Sequence, residues 1–338
     1  MLIFSSFSSR WQRFSSGLIA ATTVLLTTHC SLLTLKAQTP EPIETLRIDT
    51  DLVNLNVSVF SRTPSRTAGV LQQTDFAVFE NGAPQEISFF ASAETPFDLV
   101  LLLDLSLSTA DKIGLIRKSS KRFVDAARPA DRIAIVTFTA EIQVVSTLTS
   151  DHQALKKNID AIEKPVGGTN FWDAMRFVVE HMLGQSRAEN RRSAIVVMTD
   201  GVDNALPDVF GQGSKTTFDE LMEVVRRTDT IVLPIYLDTE KQANYQSTPQ
   251  SAYALAREQL ALMASESGNV VYQARKLKDL EGVYQQVIRD LSTVYSIGYR
   301  PVSRVSDTSW RTVTVQLVGH PDLAARSKRG YYGGRSKQ

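Results

Sequence analysis

A doubly wound α/β domain, with a mostly parallel sheet flanked by helices and a small β module beside it, is the fold predicted by this 338-residue sequence. Two uninterrupted apolar runs, Leu99–Leu103 and Ala194–Met198, have the texture of strands buried on both faces of a parallel sheet. Around them, strand-like runs alternate with segments of helical period, the pattern of βαβ units. Both ends of the chain carry instead short strands of alternating pattern, typical of half-buried sheets.

Taken in order, residues 38–42 (Gln-Thr-Pro-Glu-Pro) read as a linker, because two prolines block regular pairing. Val53, Leu55, Val57 and Val59 alternate with Asn and Ser, which predicts a half-buried strand. Asp75–Glu80 and Gln85–Phe90 flank Asn81-Gly82, a pair suited to a hairpin turn. After Pro96 the run Leu99–Leu103 ends in Asp104, and Ile113–Ala127 has helical spacing closed by Pro129. Arg132–Phe138 is the next predicted strand and Ile142–Val145 a short one. His152–Ile162 and Phe171–Leu183 are predicted helices, and the strand Ala194–Met198 runs into Thr199-Asp200-Gly201. Helix Phe218–Arg227, strand Thr230–Leu237 and helices Ala254–Ser265 and Leu277–Leu291 follow. Thr293–Tyr299, Thr312–Val318 and Arg329–Tyr332 return to strand pattern. Two or three strands cannot bury a face alone, so the two ends should combine into one composite β module.

The first residues differ in kind. Arg10 and Arg13 precede an uncharged run, Ser15–Leu35, and Ala37 offers a small residue for cleavage, so 1–37 reads as a secretory signal peptide. An uncleaved anchor is the alternative, since the run could nearly span a bilayer, but threonines dilute it. A lipoprotein reading of Cys30 is opposed by His29 in place of a small residue. The expected divisions are 1–37, an N-terminal β segment at 38–95, an α/β domain at 96–292 and a C-terminal β segment at 293–338.

Charge excludes one class of partner. The whole chain has 37 bases and 36 acids; cleavage after Ala37 would remove three bases and no acid, leaving 34 against 36. Neither balance creates a field for nucleic acid or an anionic membrane. The single cysteine would leave with the signal, so no disulfide is expected. After cleavage no stable membrane span is expected either.

Asp104-Leu-Ser106-Leu-Ser108 begins where the first buried strand ends. Side chains two apart project to one side of extended backbone, so a carboxylate and two hydroxyls can converge. The loop Gly167-Gly168-Thr169 offers a third hydroxyl, and Asp200 ends another buried strand. In a doubly wound sheet the ligand crevice lies beyond the carboxyl ends of the strands, where these groups fall. All five are hard oxygen donors of the kind that Mg²⁺, Mn²⁺ or Ca²⁺ prefer. Two carboxylates at most neutralise a divalent ion, so it stays electrophilic and can accept an oxygen from outside. Singly, each residue has a plainer reading. Ser106, Ser108 and Thr169 could cap helices and Asp200 could serve a turn; together in one crevice they favour a cation.

Other chemistries find little support. His29, His152, His181 and His320 lack zinc spacing, and neither a G-x-S-x-G elbow nor a Walker loop is present. Asp104 has no second Asp at 106, which weighs against phosphotransfer. Asp203 and Asp208 read as loop acids, with Asp203 near enough in sequence to support the ion's ligands. Phe171 and Trp172 read as core, and the tail bases Arg326, Lys328, Arg329, Arg335 and Lys337 as a solvated end.

The stretch from about 96 to 292 resembles the von Willebrand factor type A domain family, whose metal-ion-dependent adhesion site has the form D-x-S-x-S, a distant Thr and a distant Asp. Asp104, Ser106 and Ser108 match the first part, Thr169 the second and Asp200 the third; Asp131–Phe138 resembles the family's second strand. Leu107 stands where many relatives have Gly, which puts the loop's shape in question. Asp51–Val59, Asp75–Gly82 and Arg329–Tyr332 resemble a secreted bacterial subgroup typified by acidobacterial proteins. The resemblance implies a non-enzymatic, exported protein (periplasmic, cell-envelope or secreted). Its divalent cation, Mg²⁺ foremost with Mn²⁺ or Ca²⁺ as alternatives, would dock an acidic side chain of a protein partner. The competing readings are a structural envelope protein whose ion only stabilises the fold, and a metal-assisted hydrolase.

Overall fold

The computed structural model describes residues 52–62, 69–106, 113–163, 167–184, 191–238, 248–274, 279–302 and 308–333. All of them fall in one compact unit, Asp49–Gln338. Residues 1–37, expected to be a signal peptide, residues 38–42, expected to be a linker, and Ser108 lie outside the described residues.

Four strands come first: β1 (Val53–Ser61), β2 (Phe76–Glu80), β3 (Ala83–Gln85) and β4 (Ile87–Ala91). The α/β elements follow as β5 (Phe97–Asp104), α1 (Ile113–Ala126), β6 (Arg132–Phe138), β7 (Ile142–Thr149), α2 (His152–Asp160) and α3 (Phe171–Phe177). Next come β8 (Arg192–Thr199), α4 (Phe218–Arg227), β9 (Ile231–Leu237), α5 (Gln250–Glu266), β10 (Tyr272–Ala274) and α6 (Leu280–Leu291). The chain then returns to strands in β11 (Val294–Tyr299), β12 (Trp310–Leu317), β13 (Leu323–Arg326) and β14 (Gly330–Tyr332).

The central sheet has the order β10-β9-β8-β5-β6-β7. Its neighbours are parallel except at one edge, where β7 runs antiparallel to β6. Alternate residues of β5 explain why helices cover both faces. Leu99, Leu101 and Leu103 pack with Ile116, Phe123, Leu155 and Tyr284 of α1, α2 and α6. Val100 and Leu102 pack with Phe171, Met175, Leu221 and Leu260 of α3, α4 and α5. Each such side chain taken out of water contributes about 1.5–3 kcal/mol. β5 connects to β6 on one side while β8 lies on the other, so the order reverses between β5 and β8. That reversal opens a crevice at their carboxyl ends.

Both ends of the described chain build the β module. One antiparallel sheet has the order β13-β1-β11-β4 and the other β14-β12-β2-β3. Early and late strands are paired, with Val57 opposite Tyr295 and Val78 opposite Val315. The two sheets share one core, which includes Leu55, Val57, Phe76, Val78, Ile297 and Val313. Inside it, buried Glu80 accepts from Tyr299 Oη at 2.8 Å and Tyr331 Oη at 2.6 Å and pairs with Arg311 at 3.2 Å.

The module meets the α/β domain at the amino end of β8. Arg192 stacks over Phe97 and donates to the carbonyls of Ser92, Ala93, Thr95 and Val294. Burial first, and then the charge of Arg128, push its pKa down to about 9. Arg128 in turn holds Asp131 and the Ala93 carbonyl.

Several sequence expectations change in detail. Gln85–Phe90 is not one strand: β3 completes the Asn81-Gly82 hairpin with β2, and β4 crosses to the other sheet beside β11. Both turn residues have positive φ, 49° and 81°, as a two-residue hairpin loop requires. β7 extends to Thr149, α5 begins at Gln250 and the helix from Phe171 ends in a wide π turn, Val178–Met182. β10 and β13 were not expected, being three and four residues long without clear alternation. Nor is the basic tail merely solvated. Lys328 pairs with Asp229 at 3.0 Å, and Arg326 lies over the Phe60 ring. Arg335 and Lys337 lie outside the described residues.

Candidate metal centre

Asp104 is the last residue of β5 and is fully buried. Its Oδ1 accepts the backbone N–H of Ser106 at 2.9 Å, which turns the chain so that Ser106 is buried beside it. Its Oδ2 accepts from the hydroxyl of Thr199, the last residue of β8, at 2.6 Å. Thr199 and Asp200 then fold the following turn, accepting from Gly201 N at 2.8 Å and Val202 N at 3.1 Å. Gly201 has φ +78°, and a Cβ there would lie 2.8 Å from Leu260 Cδ1, so α5 can approach the turn closely.

The carboxylates of Asp104 and Asp200 affect each other. Burial is the larger cause and the negative charge of Asp200 the second in pushing the Asp104 carboxyl up to about 7. Two buried acids repelling one another are a poor structural core but a fitting cradle for a divalent cation. The donors beside them are hydroxyls, as a hard ion accepts. Among the described residues no group of three or more His, Cys, Asp and Glu gathers, at this pole or away from it, so the candidate centre consists of two carboxylates with hydroxyls.

Thr169 is buried and reaches this region on a separate loop. Its N–H donates to Asn204 Oδ1 at 3.0 Å and its carbonyl accepts from Asn204 N at 2.9 Å, which ties it to the segment following Asp200. Next to Asn204, buried Asp203 accepts from Trp172 N, Ala205 N, Ser214 N and Ser214 Oγ, at 2.6–3.0 Å. Phe171 and Trp172 are core residues, with Phe171 stacked on Phe138.

Sequence reasoning named Asp104, Ser106, Thr169 and Asp200, and these four are buried at or near the carboxyl pole of the sheet; Ser108 lies outside the described residues. It missed Thr199 and Asn204. A hydroxyl directly before Asp200 on a buried strand was a usable signal for the first. Asn204 had none, because its role depends on a loop 35 residues away. The three described histidines do not assemble: His152 opens α2, His181 lies against Phe177, and His320 pairs with Asp75 at 3.3 Å.

Fold and crevice define a doubly wound α/β domain with an oxygen-lined pole at its topological switch point. The sequence profile of the von Willebrand factor type A domain matches residues 98–286, and the chain belongs to that family. No curated protein sequence matches it. Among solved structures, proximal thread matrix protein 1 from the mussel byssus is similar with a TM-score of 0.47 at 16% identity, over 63% of this chain and 50% of that one. Another structure of it is described with a zinc-occupied MIDAS motif, with a TM-score of 0.47 at 16% identity over 62% and 48%. The von Willebrand factor domain of the type V pili tip protein Mfa5 from Porphyromonas gingivalis has a TM-score of 0.44 at 14% identity, over 58% and 94%. The chain spans about half the length of the mussel structures.

Proposed function

We propose that this protein is an exported, non-enzymatic binding module in which a divalent cation docks an acidic group of a protein partner. Asp104, Ser106, Ser108, Thr169 and Asp200 would hold the ion, Mg²⁺ foremost and Mn²⁺ or Ca²⁺ as alternatives. The observation that carries this reading is the pair of mutually repelling buried carboxylates, Asp104 and Asp200, at the switch point with hydroxyls beside them. An ion there would have its charge balanced by the protein but its shell left open. The sequence divisions go with it: a signal peptide at 1–37, β segments at 38–95 and 293–338, and the binding domain at 96–292. Periplasm, cell envelope and exterior are the compartments that this implies.

Two variants test the mechanism. Ser106→Asp adds a third negative charge, so it should hold the metal while becoming a poor acceptor for a further carboxylate. Asp104→Ala should lose both. Calorimetry follows the metal, and capture on a dense surface of glutamate-bearing peptide, with and without chelator, follows docking. Full metal-dependent capture by Ser106→Asp would overturn the docking mechanism and leave the ion a structural role.

A further inference from the structure

The candidate ligands Thr169 and Asp200 lie on two loops, and Asn204 joins one to the other. Asn204 N donates to the Thr169 carbonyl at 2.9 Å, and Asn204 Oδ1 accepts from Thr169 N at 3.0 Å, so one residue holds both backbone polar groups of Thr169. The carboxamide is held from its far side as well, because Nδ2 donates to the Phe210 carbonyl at 2.8 Å. Glycines make room for it: a Cβ at Gly168 would lie 2.6 Å from Nδ2, and one at Gly211 2.3 Å. Next in the chain, fully buried Asp203 accepts from Trp172 N at 3.0 Å and from Ser214 N and Oγ at 3.0 and 2.6 Å. Residues 203 and 204 therefore grip the chain at 169 and again at 172, in the first turn of α3.

The consequence falls on a hydroxyl. With its N–H and carbonyl both fixed, Thr169 keeps little backbone freedom, and a β-branched side chain is stiff at χ1. Its Oγ1 is thereby placed before any ion arrives. Mg²⁺ demands near-ideal octahedral geometry, so a neutral donor contributes fully only when it is held in place. An Asn supplies what this crossing needs, an acceptor for Thr169 N and a donor for the Phe210 carbonyl on one planar group. Resting on the docking reading above, we propose that Asn204 is a positioning residue for the ion: it sets metal affinity through the Thr169 hydroxyl without touching the metal.

A double-mutant cycle on the full mature chain tests this, with calorimetry for Mg²⁺ and urea unfolding in chelator for the fold. Asn204→Ala should weaken Mg²⁺ binding about tenfold, the scale of loss when a group supporting a metal ligand is removed. In a Thr169→Ala background the same change should alter affinity by less than about twofold, because the hydroxyl it places is already gone. A merely structural role would give the same loss in both backgrounds. Amide exchange in chelator, with no metal present, should show Thr169 N–H less protected in Asn204→Ala. Should Asn204→Ala not fold, Gly211→Ala carries the test, since its Cβ would displace the same carboxamide and the same dependence on Thr169 is expected. Wild-type affinity in the folded variant, unchanged protection of Thr169 N–H, or a loss that persists in the Thr169→Ala background overturns the inference and leaves the docking reading standing. Equal affinity of wild type and Thr169→Ala removes that hydroxyl from the ligand set and overturns it too. Absence of Mg²⁺ binding by the folded wild type overturns the docking reading and this inference with it.

Discussion

Thr199 Oγ1 lies 2.6 Å from Asp104 Oδ2, so the final residues of two adjacent parallel strands are bonded side chain to side chain. β8 and β5 are paired along their length, and this contact continues the pairing one step beyond the backbone ladder. It fixes one carboxylate oxygen of Asp104 while Ser106 N–H fixes the other.

Thr199→Val keeps the shape and removes the donor. The buried carboxylate is then one partner short, which should cost about 1–3 kcal/mol. Urea unfolding in chelator measures the loss, and Thr199→Ser should recover most of it. An unchanged midpoint in Thr199→Val would show that this bond contributes nothing to the fold.

Metal should stabilise the wild type, because a ligand that binds only the native state adds free energy by mass action. At a hundredfold excess over the dissociation constant the gain is about 2.7 kcal/mol. The unfolding midpoint is expected to rise in millimolar Mg²⁺ or Mn²⁺ relative to chelator, and Asp104→Ala and Asp200→Ala should abolish the rise. Identical wild-type midpoints in the two conditions would remove the site assignment.

Arg192→Met would strip donors from the Ser92, Ala93 and Thr95 carbonyls while retaining much of the packing on Phe97. The expected cost is about 2–4 kcal/mol. If the latch couples the β module to the α/β domain, calorimetry should also show the single transition broadening or splitting. A change under about 0.5 kcal/mol, the range of ordinary surface substitutions, would mean that the latch is idle.

Export predicts a mature N-terminus at or near Gln38, which intact-mass measurement on protein recovered from the envelope or medium would read directly. A mass that retains residues 1–37 would favour an anchored form.

The α/β order was legible because buried parallel strands leave continuous apolar runs, and Leu99–Leu103 and Ala194–Met198 are unmistakable in that respect. The composite β module followed from an energetic argument that neither end could bury a face alone, and the pairing of β1 with β11 agrees with it. What stayed hidden depends on tertiary partners. β4 leaves the hairpin because a neighbour in the other sheet captures it, and β13 is a strand because β1 lies beside it. Of the candidate centre, the residues that end strands could be read from the sequence. Asn204 could not, since its contacts belong to a loop crossing.

Because β4, which leads into β5, lies beside β11, which follows α6, the chain enters and leaves the α/β domain at nearly the same place, and Arg192 clamps both passages at the amino end of the sheet. The candidate centre lies at the other end of the same strands. A pull exerted at Asp104 and resisted through the β module therefore runs lengthwise along β5, whose ladders to β6 and β8 lie across the line of force. Both points lie on one continuous strand, so the covalent backbone of β5 carries such a load and its ladders need not part. The candidate centre and the β module are thereby joined through a single unbroken strand.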